Sequence, residues 1–143
     1  MGNPIAPAKG IAFAFPDICL TNVSGTPLPV PYPNVAQLAD AKNTSKVANK
    51  ELLVGGEYIL LDTSIVKDSS GAEAADPSSG VTSGTQNGMC YIDSASGSVF
   101  FGADKAGLVR FMDPTQQNAA SAQAPGNAKG MVLSADPSVL VGD

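Results

Sequence analysis

The side chains that first suggest chemistry here are thirteen carboxylates and two cysteines, and the chain contains no histidine. Without imidazole there is no Ser-His-Asp or Cys-His machinery, and the commonest base near neutral pH is missing. Carboxylate pairs of the kind that hydrolyse glycosides remain conceivable. The candidates are Asp17, Asp40, Glu51, Glu57, Asp62, Asp93, Asp104 and Asp113. Asp17, Glu57, Asp93 and Asp113 sit directly beside Gly, Ser or Pro, the setting of turns, and the turn reading is favoured over catalysis. Cys19 and Cys90 lack the close spacing of zinc-binding pairs. A disulfide, a pair of metal ligands and two buried thiols all fit their types. Buried thiols are favoured in the absence of any sign of an oxidising compartment. The glycines do not have the spacing of a phosphate loop, a dinucleotide site or a calcium loop. The expectation is a protein without catalysis, cofactor or metal.

The elements that would position these residues read as short strands and turns. Fifteen Gly and eleven Pro among 143 residues favour turns over long helices. The hydrophobic share of 43% supports a core, while charged residues make up only 15%, against about a quarter in most soluble domains. A net charge of −5 with eight scattered basic residues disfavours nucleic acid and anionic membrane surfaces. No apolar run is long enough to span a bilayer. The start of the chain lacks a confident secretory signal, so a soluble protein is expected.

Residues 1–10 read as an extended arm. In 11–20, Phe13 and Phe15 fall two apart and so share one face of a strand. Pro27, Pro29, Pro31 and Pro33 then alternate with Leu28, Val30 and Tyr32. Such a segment is stiff and extended, and it suits an edge or a wrapping strand because proline cannot donate a full ladder. A proline-rich ligand for a small adaptor domain is the competing reading, disfavoured by the apolar spacers and globular flanks. Val35, Leu38 and Ala39 predict one short helix or turn. Gly55-Gly56 between two apolar stretches predicts a tight hairpin. Residues 67–88, rich in Ser, Gly and Ala, read as either a long surface loop or a short Ala-rich turn of helix, with Asn87-Gly88 marking a tight turn. MCYID, SVFF and LVRFM are strand candidates, 115–130 reads as polar linker, and the apolar triplets at 131–133 and 139–141 predict docking of the chain end.

The runs Phe15-Pro16-Asp17-Ile18-Cys19, Thr21 and Pro29-Val30-Pro31-Tyr32-Pro33-Asn34 resemble the opening of the PAAR-like domain family of type VI secretion and related contractile injection systems. The likeness continues through Gly71 to Gly84 and closes at Val109-Arg110 and Asp113-Pro114 to Asn118, covering about residues 12–119. It implies a mostly β, small conical domain at 1–119, with 120–143 as a C-terminal extension or docking tail. It further implies a structural tip on a trimeric β-helical spike of the VgrG type, sharpening the end that punctures a target membrane. Delivery would run from the bacterial cytoplasm to the outside or into target cells. Phe15, Pro16, Asp17, Pro29, Pro31, Tyr32, Pro33, Asn34, Arg110 and Asp113 become the interface or scaffold residues. The family's zinc-binding members use histidines and a cysteine, and that site does not carry over to a chain without histidine. The rival readings are an effector-loading adaptor that docks toxin cargo through its tail, and a β-rich surface- or carbohydrate-binding module.

Overall fold

The computed structural model describes residues 2–45 and 51–142. Twelve short and long strands run along them: β1 (Asn3–Ile5), β2 (Ile11–Val23), β3 (Thr26–Gln37), β4 (Leu53–Val54), β5 (Glu57–Tyr58), β6 (Ile65–Val66), β7 (Met89–Ile92), β8 (Phe100–Phe101), β9 (Ala106–Gly107), β10 (Pro114–Ala119), β11 (Ala128–Val132) and β12 (Asp136–Val141). The fold is mostly β and antiparallel. Among the described residues the one helical element is a single 3-10 turn, Leu38–Asp40, where a short helix or turn was expected. Residues 46–50 of that stretch lie outside the described residues.

One six-stranded sheet dominates, in the order β3-β2-β11-β10-β7-β6, and three two-stranded ribbons, β1-β12, β4-β5 and β8-β9, surround it. Its longest unit is the β2–β3 hairpin, turned by Ser24 and Gly25, both at positive φ. Asn22 stabilises the turn by accepting the Gly25 N–H at 2.9 Å. The Gly55-Gly56 hairpin forms as expected between β4 and β5, with both glycines at positive φ.

The proline run lies on the outermost strand of the sheet, and its register explains why. Val35 exchanges backbone hydrogen bonds with Ser70, on the side away from β2. Alternate residues of a strand point their backbone groups the same way, so Pro27, Pro29, Pro31 and Pro33 share that outward phase. The missing N–H groups all fall on the free edge, and the ladder to β2 is intact.

Two cores flank the sheet. The larger joins Ala12, Ala36 and Val132 to Ala6, Leu38, Leu60, Val66, Cys90, Ile92 and Val109. The second holds Ile5, Ile59, Leu61, Ala106, Leu108 and Val141. Residues 5–8 are therefore buried structure and not a loose arm. LVRFM was expected to be a strand and is not. Leu108 enters one core and Val109 the other, and Val109 bonds both Leu60 and Ala6 through its backbone. No single neighbour can pair with a segment that changes partner at each residue.

The polar-linker reading of 115–130 is corrected as well. β10 pairs with β7 and β11, and β11 pairs with β2, which places both strands inside the main sheet. Polarity hid them because Thr115, Gln117 and Asn118 are buried and hydrogen-bonded instead of apolar. Gly130 permits this packing. A Cβ there would stand 2.2 Å from the Phe13 carbonyl oxygen and 2.5 Å from Gln117 Oε1. The stretch after residue 119 thus completes the sheet, and the triplets at 131–133 and 139–141 sit in or beside β11 and β12.

Candidate functional site

Two irregularities in the sheet aim polar side chains at each other. In β2, Phe15 and Pro16 together oppose Pro33, so the register shifts between Ala14 and Asp17. Before this bulge Phe13 and Phe15 point outward; after it Asp17 and Cys19 point inward. In β10 the pairing to β7 shifts between Gln116 and Ala119, with Asn118 at φ 52°. The second bulge turns Asn118 inward opposite Asp17.

Asp17 is fully buried, and among the described residues its carboxylate has no salt-bridge partner and is surrounded by three asparagine side chains. Asn118 Nδ2 donates to Oδ1 at 3.0 Å and Oδ2 at 3.2 Å, and Asn34 Nδ2 donates to Oδ2 at 3.2 Å. Asn127 Nδ2 also donates to Oδ1. Each asparagine uses its other N–H on a fixed acceptor: Thr85 O at 3.1 Å, Ser69 Oγ at 2.9 Å and Ile18 O at 2.8 Å respectively. Their side-chain oxygens are engaged too. Asn34 Oδ1 accepts from Gln117 Nε2 at 2.7 Å, Asn118 Oδ1 from Gly88 N at 2.7 Å, and Asn127 Oδ1 from Thr82 N at 2.7 Å. A buried charge is tolerated when its lone pairs are all met, and hydrogen bonds to a charged acceptor are the stronger kind. This cluster ties β2, β3, β10, β11's leading turn and residues 69–88 to one carboxylate.

Cys19 lies in the same cluster and donates its thiol proton to Asp17 Oδ1 at 3.6 Å. Burial, reinforced by the Asp17 charge, pushes this thiol up to about 11, so it stays protonated at neutral pH. Burial alone pushes Cys90, in the large core, up to about 12. Both are free thiols. A protonated thiol beside amides does not fit a metal centre of the zinc-binding kind, and among the described residues no three His, Cys, Asp or Glu gather as ligands.

The expected site residues divide into groups. Asp17 and Asn34 meet in the buried cluster. Tyr32 is half-buried at its margin, its hydroxyl 2.6 Å from Thr21 Oγ1. Phe15, Pro16, Pro29, Pro31 and Pro33 are exposed. Arg110 and Asp113 form a separate fork: Nη2 donates to Oδ1 at 2.9 Å and Nε to Oδ2 at 3.1 Å, while the Arg110 backbone N–H reaches Oδ2 at 2.7 Å. That fork closes the turn entering β10, with Met112 at φ 70°. Gln117, Asn127, Thr85 and Ser69 belong to the cluster yet carry no motif of their own. Asp17, Asn34 and Asn118 were named positions of the recognised pattern; Gln117 fell within its closing stretch without being singled out.

The sequence pattern of the toxin PAAR-like domain matches residues 10–131 of this chain. The chain belongs to the toxin PAAR-like domain family. The matched span reaches from the start of β2 into β11, and so includes every member of the Asp17 cluster. No curated protein and no solved structure matches the chain. Membership places this domain in the setting of the type VI spike, where PAAR domains generally associate with VgrG proteins.

Proposed function

We propose that this PAAR-like domain is a structural tip that caps the blunt end of a trimeric VgrG-type spike in a contractile injection system. The observation that carries the reading is the family match over residues 10–131, within which Asp17, Asn34 and Asn118 converge on one buried cluster. The domain works by shape and rigidity and performs no catalysis. The fully buried Asp17 carboxylate is enclosed by amides that hold the fold, out of reach of a substrate. The blocked β3 edge suits a terminal part of an assembly, because it gives the next strand no donors. The domain is made in the bacterial cytoplasm, joins the spike, and leaves the cell at its tip to puncture a target membrane.

Co-expression with the trimeric spike protein of the same organism, followed by mass determination of the purified complex, tests this. One copy per trimer supports the cap. A monodisperse free domain that never co-purifies rejects it.

A further inference from the structure

Residues 71–86 form a loop whose two ends meet. Ser69 N bonds the carbonyls of Asn87 at 3.3 Å and Gly88 at 3.0 Å, and Ser69 Oγ donates to Gly88 O at 2.8 Å. Such a compact Ω-shaped segment can move as a unit about its closed neck. Gly71, at φ 121°, marks one side of that neck, and a Cβ there would lie 2.1 Å from the Pro33 carbonyl oxygen.

The loop lies along β2 where no other strand pairs with that edge. β11 pairs only with Ala12 to Ala14. Beyond the bulge, the second edge of β2 is satisfied by the loop: Leu20 N to Ser79 O at 2.9 Å, Val81 N to Ile18 O at 3.0 Å and Asp76 N to Leu20 O at 3.0 Å. The apolar contact beneath it is slight, comprising Ala72 and Ala75 against Cys19, with Tyr32 at the side. Its remaining attachments are polar. Asn127 Oδ1 accepts Thr82 N and Ser83 N, Asn118 Oδ1 accepts Thr85 Oγ1, and Asn87 Oδ1, just outside the loop, accepts Ala72 N at 3.1 Å. Gln86 Nε2 donates to Ala72 O at 2.7 Å and Ala75 O at 2.9 Å, bonds that hold the loop together internally. Ser79 Oγ faces the Cys19 thiol but is buried without a full hydrogen bond, a cost that opening relieves. Segments with few buried apolar contacts and exposed hydrogen bonds open at the low end of a protein's free-energy range.

We propose that residues 71–86 are a detachable strap that swings away from β2 while the two cores stay folded, uncovering Cys19 and the backbone edge at Ile18 and Leu20. That edge then presents the Leu20 N–H and carbonyl and the second lone pair of the Ile18 carbonyl, whose first Asn127 Nδ2 still engages at 2.8 Å. This is the pattern an extended chain of a partner satisfies by adding a strand. The opposite edge of the hairpin, on β3, lacks the donors to do this. The β2 edge is thus the face of the hairpin through which a strand is added.

Cys19 and Cys90 make the test internal, one under the strap and one in the large core. The folded chain is exposed to a small thiol-alkylating reagent in rising sub-denaturing urea, and each cysteine is followed by peptide mass analysis. Cys19 is expected to react well before Cys90 and with little dependence on urea. Asn87→Gly, which removes the side-chain acceptor holding Ala72 N at the neck, keeps the positive φ and leaves the Asp17 cluster untouched, should speed Cys19 labelling about tenfold and leave Cys90 unchanged. If the two cysteines react together with the urea dependence of global unfolding, the strap does not open by itself. Should Asn87→Gly fail to fold, the wild-type urea dependence alone decides. Strand addition is read separately, by whether a tethered extended peptide of alternating Thr and Val protects Cys19 and the Leu20 amide; no protection removes that part of the proposal.

Discussion

Asn118 donates to both carboxylate oxygens of Asp17, at 3.0 and 3.2 Å, across a sequence separation of 101 residues. Each residue reaches the other only because its strand carries a bulge, one with a residue to spare at Phe15-Pro16 and one with left-handed backbone at Asn118. Irregular pairing therefore makes the polar centre of the fold, and regular pairing would turn both side chains away from it.

Asp17→Asn should destabilise the domain by about 3 kcal/mol, since an amide nitrogen would face the donors of Asn34, Asn118 and Asn127 inside the protein. Asp104→Asn, at an exposed turn, should change stability by less than about 0.5 kcal/mol. Urea unfolding of the two variants beside the parent checks this. Equal midpoints for all three would mean that the cluster contributes nothing net.

Much of this arrangement could be read from residue types, and the rest could not for a physical reason. The β2 and β3 strands, the Gly55-Gly56 hairpin and the edge position of the prolines follow from local rules of alternation, positive φ and missing N–H groups. Asp17 and Asn34 stood out through the family resemblance. Asn127 and Gln117 did not, because a buried amide carries no periodic signal; it is defined by partners as far as 110 residues away. For the same reason β10, reading PTQQNA, looked like linker. LVRFM looked like a strand because apolarity does not say that Leu108 and Val109 enter different cores.

Alkaline pH should weaken the fold through its thiols. Unfolded cysteines ionise near their ordinary value of 9.0, whereas the folded chain keeps Cys19 protonated to about 11 and Cys90 to about 12. Between these values the unfolded state holds fewer protons, so stability is full below pH 9 and is lost as pH climbs toward 11 and 12. A Cys19→Ala, Cys90→Ala double variant should lose less stability between pH 8 and about 10.5 than the parent. Parallel pH dependence in the two proteins would remove the thiols as the cause.

The free edge of β3 gives a prediction about association. Pro29→Thr with Pro31→Thr restores two N–H groups on the outward side without touching the ladder to β2. The variant is expected to form dimers or larger species as concentration rises, seen by light scattering after size exclusion, because an open edge recruits another strand. Persistent monomer up to high concentration would show that something other than proline protects this edge.

The outer face of the main sheet carries an uncovered apolar strip that no buried contact in the domain explains. Phe13 stands opposite Met131 on β11 and Val35 on β3, Phe15 follows two residues on, and that residue is 58% exposed. Leu133 continues the strip beside Ile11, whose carbonyl accepts its N–H at 2.9 Å. Contiguous exposed apolar surface of this kind marks an interaction site more often than chance exposure does. If it is the seat of the domain on the spike, Phe15→Asp should reduce co-purification with the trimer at least about tenfold, as loss of a central aromatic anchor does. The same change should leave thermal unfolding within a few degrees of the parent, because the ring buries little in the free domain. Deleting residues 120–143 cannot serve as the comparison, since that removes β11 from the middle of the sheet. Undiminished association of Phe15→Asp would turn attention from this face to the hairpin edge beneath the strap.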